Sequence, residues 1–227
     1  MQALFVAAAL TAAPLPVESY TSVDAGAQAI SAEARTGTLL FSKGDCLAVK
    51  VYTRSPYTHV AAVVSEDGQP YVYDSQNSTG VRRLPLDEYL ASERPCRFHV
   101  FQPRVSFTPA RTRRFIEHLQ SQVGRPYDIT HHLTGERAEG LHCAEYVTDA
   151  LIQGRILRAR QPSRVSPASL VEGLLKGGLY EPLLTVDLQE PAEVVPEGRC
   201  WCEDLWIDTK QCTTRFCRSL GRMFLCR

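Results

Sequence analysis

Between Thr38 and Phe101 the chain is written as short apolar runs cut by turn residues, and from Thr108 onward the apolar spacing becomes helical. This change of period constrains the fold more than any other feature. Runs of four to six residues joined by tight turns pair as antiparallel strands, and the longer amphipathic stretches then pack on that sheet. Thr38-Leu39-Leu40-Phe41 predicts a strand ended by Lys43-Gly44-Asp45, with Asp45 capping a short helix through about Thr53. His59 to Val64 predicts a buried strand that turns at Asp67-Gly68 into Tyr71-Val72-Tyr73. Asn77 to Gly80 turns again into Val81 to Leu84, and Arg97 to Phe101 alternates as a further strand.

Three helices are signalled afterwards. Thr108-Pro109 caps the first, in which Phe115, Leu119 and Val123 form a stripe before Gly124. The second runs from Cys143 to about Ile152 and stops at Gly154, and the third runs from Ser166-Pro167 to Gly177-Gly178. The reading is an α+β domain over residues 36–184, with residues 1–35 as a signal or loose lead-in, 185–199 as a linker and 200–227 as a Cys-rich appendage.

The totals set bounds. A chain of 227 residues with 44% apolar content can bury one generous core. Its 25 basic residues balance 25 acidic ones, so nothing argues for a global nucleic-acid footprint. Residues 4–13 form an apolar run too short to span a bilayer, which takes about 20 residues. No Lys or Arg precedes the run, so an export signal, a frayed apolar helix and a misassigned start are all open readings. Export to the cell envelope and cytoplasmic residence stay open with them. Eight cysteines, five of them between Cys200 and Cys226, do not decide the redox compartment.

Cys143 opens an amphipathic helix, where unpaired backbone N–H groups and the helix dipole favour a thiolate and can hold an oxyanion. The plainer reading is a small buried hydrophobe. His59 heads an apolar strand, a rigid place from which to present a base to such a nucleophile, although a strand-end histidine is often structural. Asp74 ends the neighbouring strand, where its carboxylate could fix the tautomer of His59 or simply bond to its own turn.

These segments, in chain order, resemble a known family. Gly37-Thr38-Leu39-Leu40-Phe41, Ser55-Pro56-Tyr57-Thr58-His59-Val60, Gly124-Arg125-Pro126-Tyr127-Asp128 and His142-Cys143-Ala144-Glu145-Tyr146-Val147 are similar to motifs of the permuted papain-like amidases of the YaeF/YiiX type. That group is a circularly permuted branch of the NlpC-type peptidases. The resemblance covers about residues 36–180. It implies a permuted papain-like fold and a cysteine hydrolase of amide or peptide bonds, cell-wall peptides among them. It also implies a triad of His59, Asp74 and Cys143, in the reverse of the ordinary papain order. The family's acid is typically Glu, and its first Gly-Asp is Gly37-Thr38 in this chain. Tyr127 stands where related enzymes place a tyrosine that faces the oxyanion, and it also fits a buried tyrosine with a satisfied hydroxyl. No cofactor is implied.

Three rivals use overlapping residues. Asp128, His131, His132, His142 and Cys143 offer N, O and S ligands for a metal, but their spacing matches no zinc pattern and leaves His59 unexplained. Lipid acyltransferases or phospholipases of the lecithin–retinol group share the permuted scaffold. They place Glu after the cysteine where this chain has Ala144, and a second histidine near the position of Tyr71. An inactive binding module is the third, and the intact Cys, His and acid argue against it. In the tail, the segment from Thr209 to Arg227 has five basic residues and no acidic one. On a helix, Cys212, Phe216, Leu220 and Met223 share one face while Arg215, Arg218 and Arg222 share another. This fits contact with an anionic membrane surface, or a helix docked on the main domain, with Gly221 weakening both. Oligomeric state is not legible.

Overall fold

Apolar residues on both faces of the central strands require a layer of helices on each side. The computed structural model, which describes residues 17–43, 56–130, 139–190 and 200–225, has that arrangement. Seven strands form one sheet: β1 (Val17–Tyr20), β2 (Leu39–Lys43), β3 (His59–Glu66), β4 (Gln69–Gln76), β5 (Gly80–Pro85), β6 (Cys96–Pro103) and β7 (Tyr180–Leu188). Their spatial order is β1-β7-β6-β2-β3-β4-β5. Every pairing is antiparallel except β1 with β7, at one edge.

One face is covered by α1 (Val23–Glu33) and α2 (Leu86–Glu93). Ile30, Leu86, Tyr89 and Leu90 pack there on Leu40, Ala61, Val63, Val72 and Phe98. The other face carries α3 (Pro109–Ser121), α4 (Cys143–Gln153) and α5 (Pro167–Lys176). Phe115, Leu119, Tyr146, Val147, Leu170 and Leu174 meet Phe41, Val60, Ala62, Val64 and Tyr73 on that side. Each large apolar side chain so buried contributes about 1.5–3 kcal/mol. The fold is a mixed α+β domain, as the change of period predicts.

Its limits differ from those read in the sequence. Residues 17–33 are a strand and a helix built into the sheet rather than a loose lead-in. The small residues of α1 serve close packing: a Cβ on Gly26 would lie 2.8 Å from Cδ2 of Leu188. At the other end β7 continues to Leu188, four residues into the segment read as a linker, and Val186 and Leu188 are buried. The helix expected over residues 45–53, Cys46, and the apolar run at residues 4–13 lie outside the described residues.

The tail is helical, as α6 (Trp201–Leu225). Leu205, Trp206 and Phe216 are more than half exposed on it. No described helix is long and apolar enough to cross a membrane. The described cysteines 143, 200, 202, 212 and 217 are free thiols.

Candidate active site

The site is assembled where α4 begins, against the ends of β3 and β4. His142 caps α4 with extended backbone, Glu145 lies in the first turn, and residues 143–151 are all buried. A helix buried all round is a rigid mount, and its first-turn N–H groups have no intrahelical acceptor. α4 packs on β3 and β4, and Tyr146 donates to the Leu119 carbonyl at 2.7 Å, which ties α4 to α3.

Three loops are stitched together around this helix start. Ser75, next to Asp74, donates to the Leu141 carbonyl at 2.6 Å. The Leu141 N–H donates in turn to the Pro126 carbonyl at 2.9 Å, and the Val81 N–H donates to the Arg125 carbonyl at 2.8 Å. Glycine is required at two of these approaches. A Cβ on Gly140 would stand 2.6 Å from Cβ of Asp128, and one on Gly80 would stand 2.3 Å from the Arg125 oxygen at a φ of +72°.

His59, the first residue of β3, and Asp74 on β4 meet across the hairpin. The Asp74 carboxylate accepts from Nε2 of His59 at 3.1 Å. The other ring nitrogen, Nδ1, takes no part in this bond, and the charges of His59 and Cys143 act on each other. The side chains of His59 and Asp74 are only 14% and 1% exposed, so water screens little of this chain of charges.

The electrostatics follow from that placement. Burial pushes the Cys143 thiol up, but the His59 charge and hydrogen bonds from His142 and His59 outweigh it and bring the thiol down to about 6. Burial disfavours the charged form of His59, but the Cys143 thiolate and the Asp74 hydrogen bond hold the imidazole well above its ordinary 6.5. Asp74 is likewise opposed by burial, and hydrogen bonds from His59 and Arg82 keep it below the usual carboxylate range. Tyr127 is raised, by burial and then by the charges of Cys143 and Asp128.

Arg82 and Glu93 escaped the sequence reading. Arg82 donates to Asp74 twice, Nε to Oδ1 at 2.8 Å and Nη2 to Oδ2 at 3.1 Å, and Nη2 also reaches Glu93 at 3.1 Å. The signal was available, because the turn at residues 77–79 puts Arg82 opposite Asp74 in the β4–β5 register. Arg82→Met should lower stability by about 3 kcal/mol, the lower end of the effect of breaking a buried charge pair, since His59 still meets Asp74. A urea-unfolding midpoint equal to that of the wild type would show that the brace is not needed.

The metal reading grouped Asp128, His131, His132, His142 and Cys143. His131 and His132 lie outside the described residues, and among the described residues no three His, Cys, Asp or Glu side chains are placed to hold an ion.

A family model described as "Permuted papain-like amidase enzyme, YaeF/YiiX, C92 family" matches residues 33–167. The chain belongs to this family. It is therefore a papain-like cysteine hydrolase of the C92 peptidase group, a family acting on peptide or amide bonds. No curated protein matches. A crystal structure of metalloprotein yiiX from Escherichia coli O157:H7 (DUF1105) superposes with a TM-score of 0.49 at 17% identity, covering 70% of this chain and 99% of that one. β1, α1 up to its last residue and the whole of β7 lie outside the stretch matched by the C92 family model, so in this member the sheet takes in strands from before and after it in the chain.

Proposed function

We propose that Cys143 is the nucleophile of this C92 hydrolase, His59 its acid and base, and Asp74 the group that orients and charges His59. The observation that supports this most is the buried hydrogen bond from His59 to Asp74 at 3.1 Å, with the charge of His59 acting on the buried Cys143 thiol. The thiolate attacks the carbonyl carbon of an amide, and first-turn N–H groups of α4, with the Tyr127 hydroxyl, receive the oxyanion. Protonated His59 gives its proton to the leaving amine, and a thioester remains on Cys143. Water then attacks the thioester, His59 takes its proton, and the carboxylic acid leaves with the thiolate restored. The substrate is a peptide or other amide, with cell-wall peptides first among them.

The test is turnover of a panel holding muropeptides, simple amides and acyl esters by wild type and Cys143→Ala. Cys143-dependent release of an amine supports the proposal. Turnover confined to acyl esters would replace it with the lipid acyltransferase reading.

The tail reading belongs with this proposal: α6 serves membrane-surface contact and takes no part in the chemistry. Its exposed Leu205, Trp206 and Phe216, with the basic segment from Thr209, supply the apolar and cationic components such contact uses. Removing residues 200–227 is expected to leave thiol labelling at Cys143 unchanged and to abolish sedimentation with phosphatidylglycerol vesicles. A folded truncation that still sediments, or that no longer labels, would refute it.

A further inference from the structure

The strand ends beside His59 carry a row of charged groups that the triad does not use. Ser42 pairs with His59 between β2 and β3. The next residue, Lys43, pairs with Arg97 of β6, which pairs in turn with Asp187 of β7. Paired residues share a face of the sheet, as do residues two apart on a strand. Lys43 therefore lies on the face of Phe41, which belongs to the same core layer as Cys143.

A cleft of about 500 Å³ runs along these ends, lined by Lys43, Pro95, Arg97, Asp187, Gln189 and Glu190. β2, β6 and β7 follow β3 in spatial order. At about 4.8 Å per strand, Lys43, Arg97 and Asp187 stand roughly 5, 10 and 15 Å from β3. An extended peptide advances about 3.4 Å per residue, so Lys43 is reached within about two residues of an amide held at His59.

The two cations of the row differ. Nη2 of Arg97 donates to Oδ2 of Asp187 at 2.7 Å, so its charge is matched. Lys43 has no carboxylate partner among the described residues, and its Nζ stands 5.9 Å from the centre of the Tyr57 ring, at the outer limit of a cation–π contact. That ring is held in place. It packs edge-on to Phe41 at 5.6 Å and to His99 at 5.5 Å, and its hydroxyl meets Nδ1 of His99 at 3.4 Å. Burial, then the charges of Lys43 and Arg97, hold His99 down at about 4, so at neutral pH His99 adds no charge of its own. A partly buried ammonium with only a ring face for company is short of a counter-ion, and an anionic ligand supplies one.

We propose that this row of strand ends is the substrate cleft, and that Lys43 binds a substrate carboxylate within about two residues of the scissile amide. This rests on the reading of Cys143 and His59 as the catalytic pair. It narrows the substrate from any amide to a peptide with an acidic side chain or terminus near the bond that is cleaved. The Tyr57 ring positions the ammonium, and the Arg97–Asp187 pair forms the wall beyond it.

The test uses fluorogenic peptide amides made in pairs, with Glu or Gln at the second residue from the scissile bond, one pair for each side of the bond. In one pair the wild type should prefer Glu by about tenfold in kcat/KM, through KM, as one charge-assisted hydrogen bond provides. Lys43→Met should bring that ratio to about one, and Lys43→Glu should turn the preference over to a peptide with Lys at the same position. A wild type indifferent to charge in both pairs, or a Lys43→Met protein that keeps the preference, overturns the inference. The wild-type comparison needs no variant to fold.

The same peptides, labelled, are titrated by fluorescence anisotropy onto full-length Cys143→Ala. Tighter binding of the Glu peptide, abolished by adding Lys43→Met, supports the cleft even where the wild type turns nothing over, a result that would refute the nucleophile reading alone. Equal binding of Glu and Gln peptides overturns the inference.

Discussion

Cys143→Ala is expected to lower kcat/KM for amide hydrolysis by about 10,000-fold or more while leaving the fold in place. Losing the nucleophile removes the covalent route altogether, and what remains is binding and oxyanion stabilisation. The structural effect is small by comparison. Cys143 is 5% exposed, and deleting one sulfur from that site costs about 1 kcal/mol. Amine release from a fluorogenic amide, read beside far-UV circular dichroism, separates the two. A folded Cys143→Ala protein that retains even a tenth of wild-type turnover would exclude Cys143 as the nucleophile.

His59→Ala is the second large effect, about 1,000-fold in kcat/KM, because it removes both the proton donor for the leaving amine and the main positive charge on the thiolate. The pH profile carries the sharper signature. In the wild type the thiol ionises at about 6, and protonated His59 persists well above 6.5, so kcat/KM rises through pH 6 and falls only as His59 loses its proton. His59→Ala should move the acid limb upward towards an ordinary thiol.

Stability should behave differently from activity. The depressed thiol contributes stability that is present above its unfolded value of 9.0 and lost as pH falls through about 6. The raised imidazole contributes stability that is complete below 6.5 and lost as pH rises through its higher folded value. Between those limits folded and unfolded chains bind the same number of protons at this pair, one in each, so the two slopes cancel. Wild-type stability should be flat across the neutral range where activity is bell-shaped. A steep stability slope between pH 7 and 8 would mean that the ion pair is not formed.

The predicted strands at Leu39, His59, Tyr71, Val81 and Arg97 and the predicted helices after Pro109, Cys143 and Pro167 are all present, with boundaries shifted by a few residues. Local signals suffice for these, since hydrophobic period, Asp67-Gly68 and the proline and glycine stops act within a few residues of themselves. α2 follows Pro85 with no capping side chain and runs for eight residues, too short for a periodic stripe to stand out. The end of β7 reads as linker because acidic residues and prolines crowd Leu188 to Pro196, and β1 and α1 read as loose because residues 14–36 are small and polar. Their smallness serves contact, as at Gly26 against Leu188, and contact distance has no local signature.

The site divides along the same line. From residues alone, a cysteine at a helix start, a histidine at a strand start and an aspartate on the next strand mark the candidates, because each residue's chemistry is announced by its own element. Which of them touch is a matter of register and loop packing. The β4–β5 pairing brings Arg82 onto Asp74, and the Ser75–Leu141–Pro126 bonds tie the loop before α4 to β4 beside Asp74. Sequence determines which groups can carry charge. Only the tertiary structure decides which charges are buried together, because that depends on strand register and loop packing between separate segments, and on the absence of water between them.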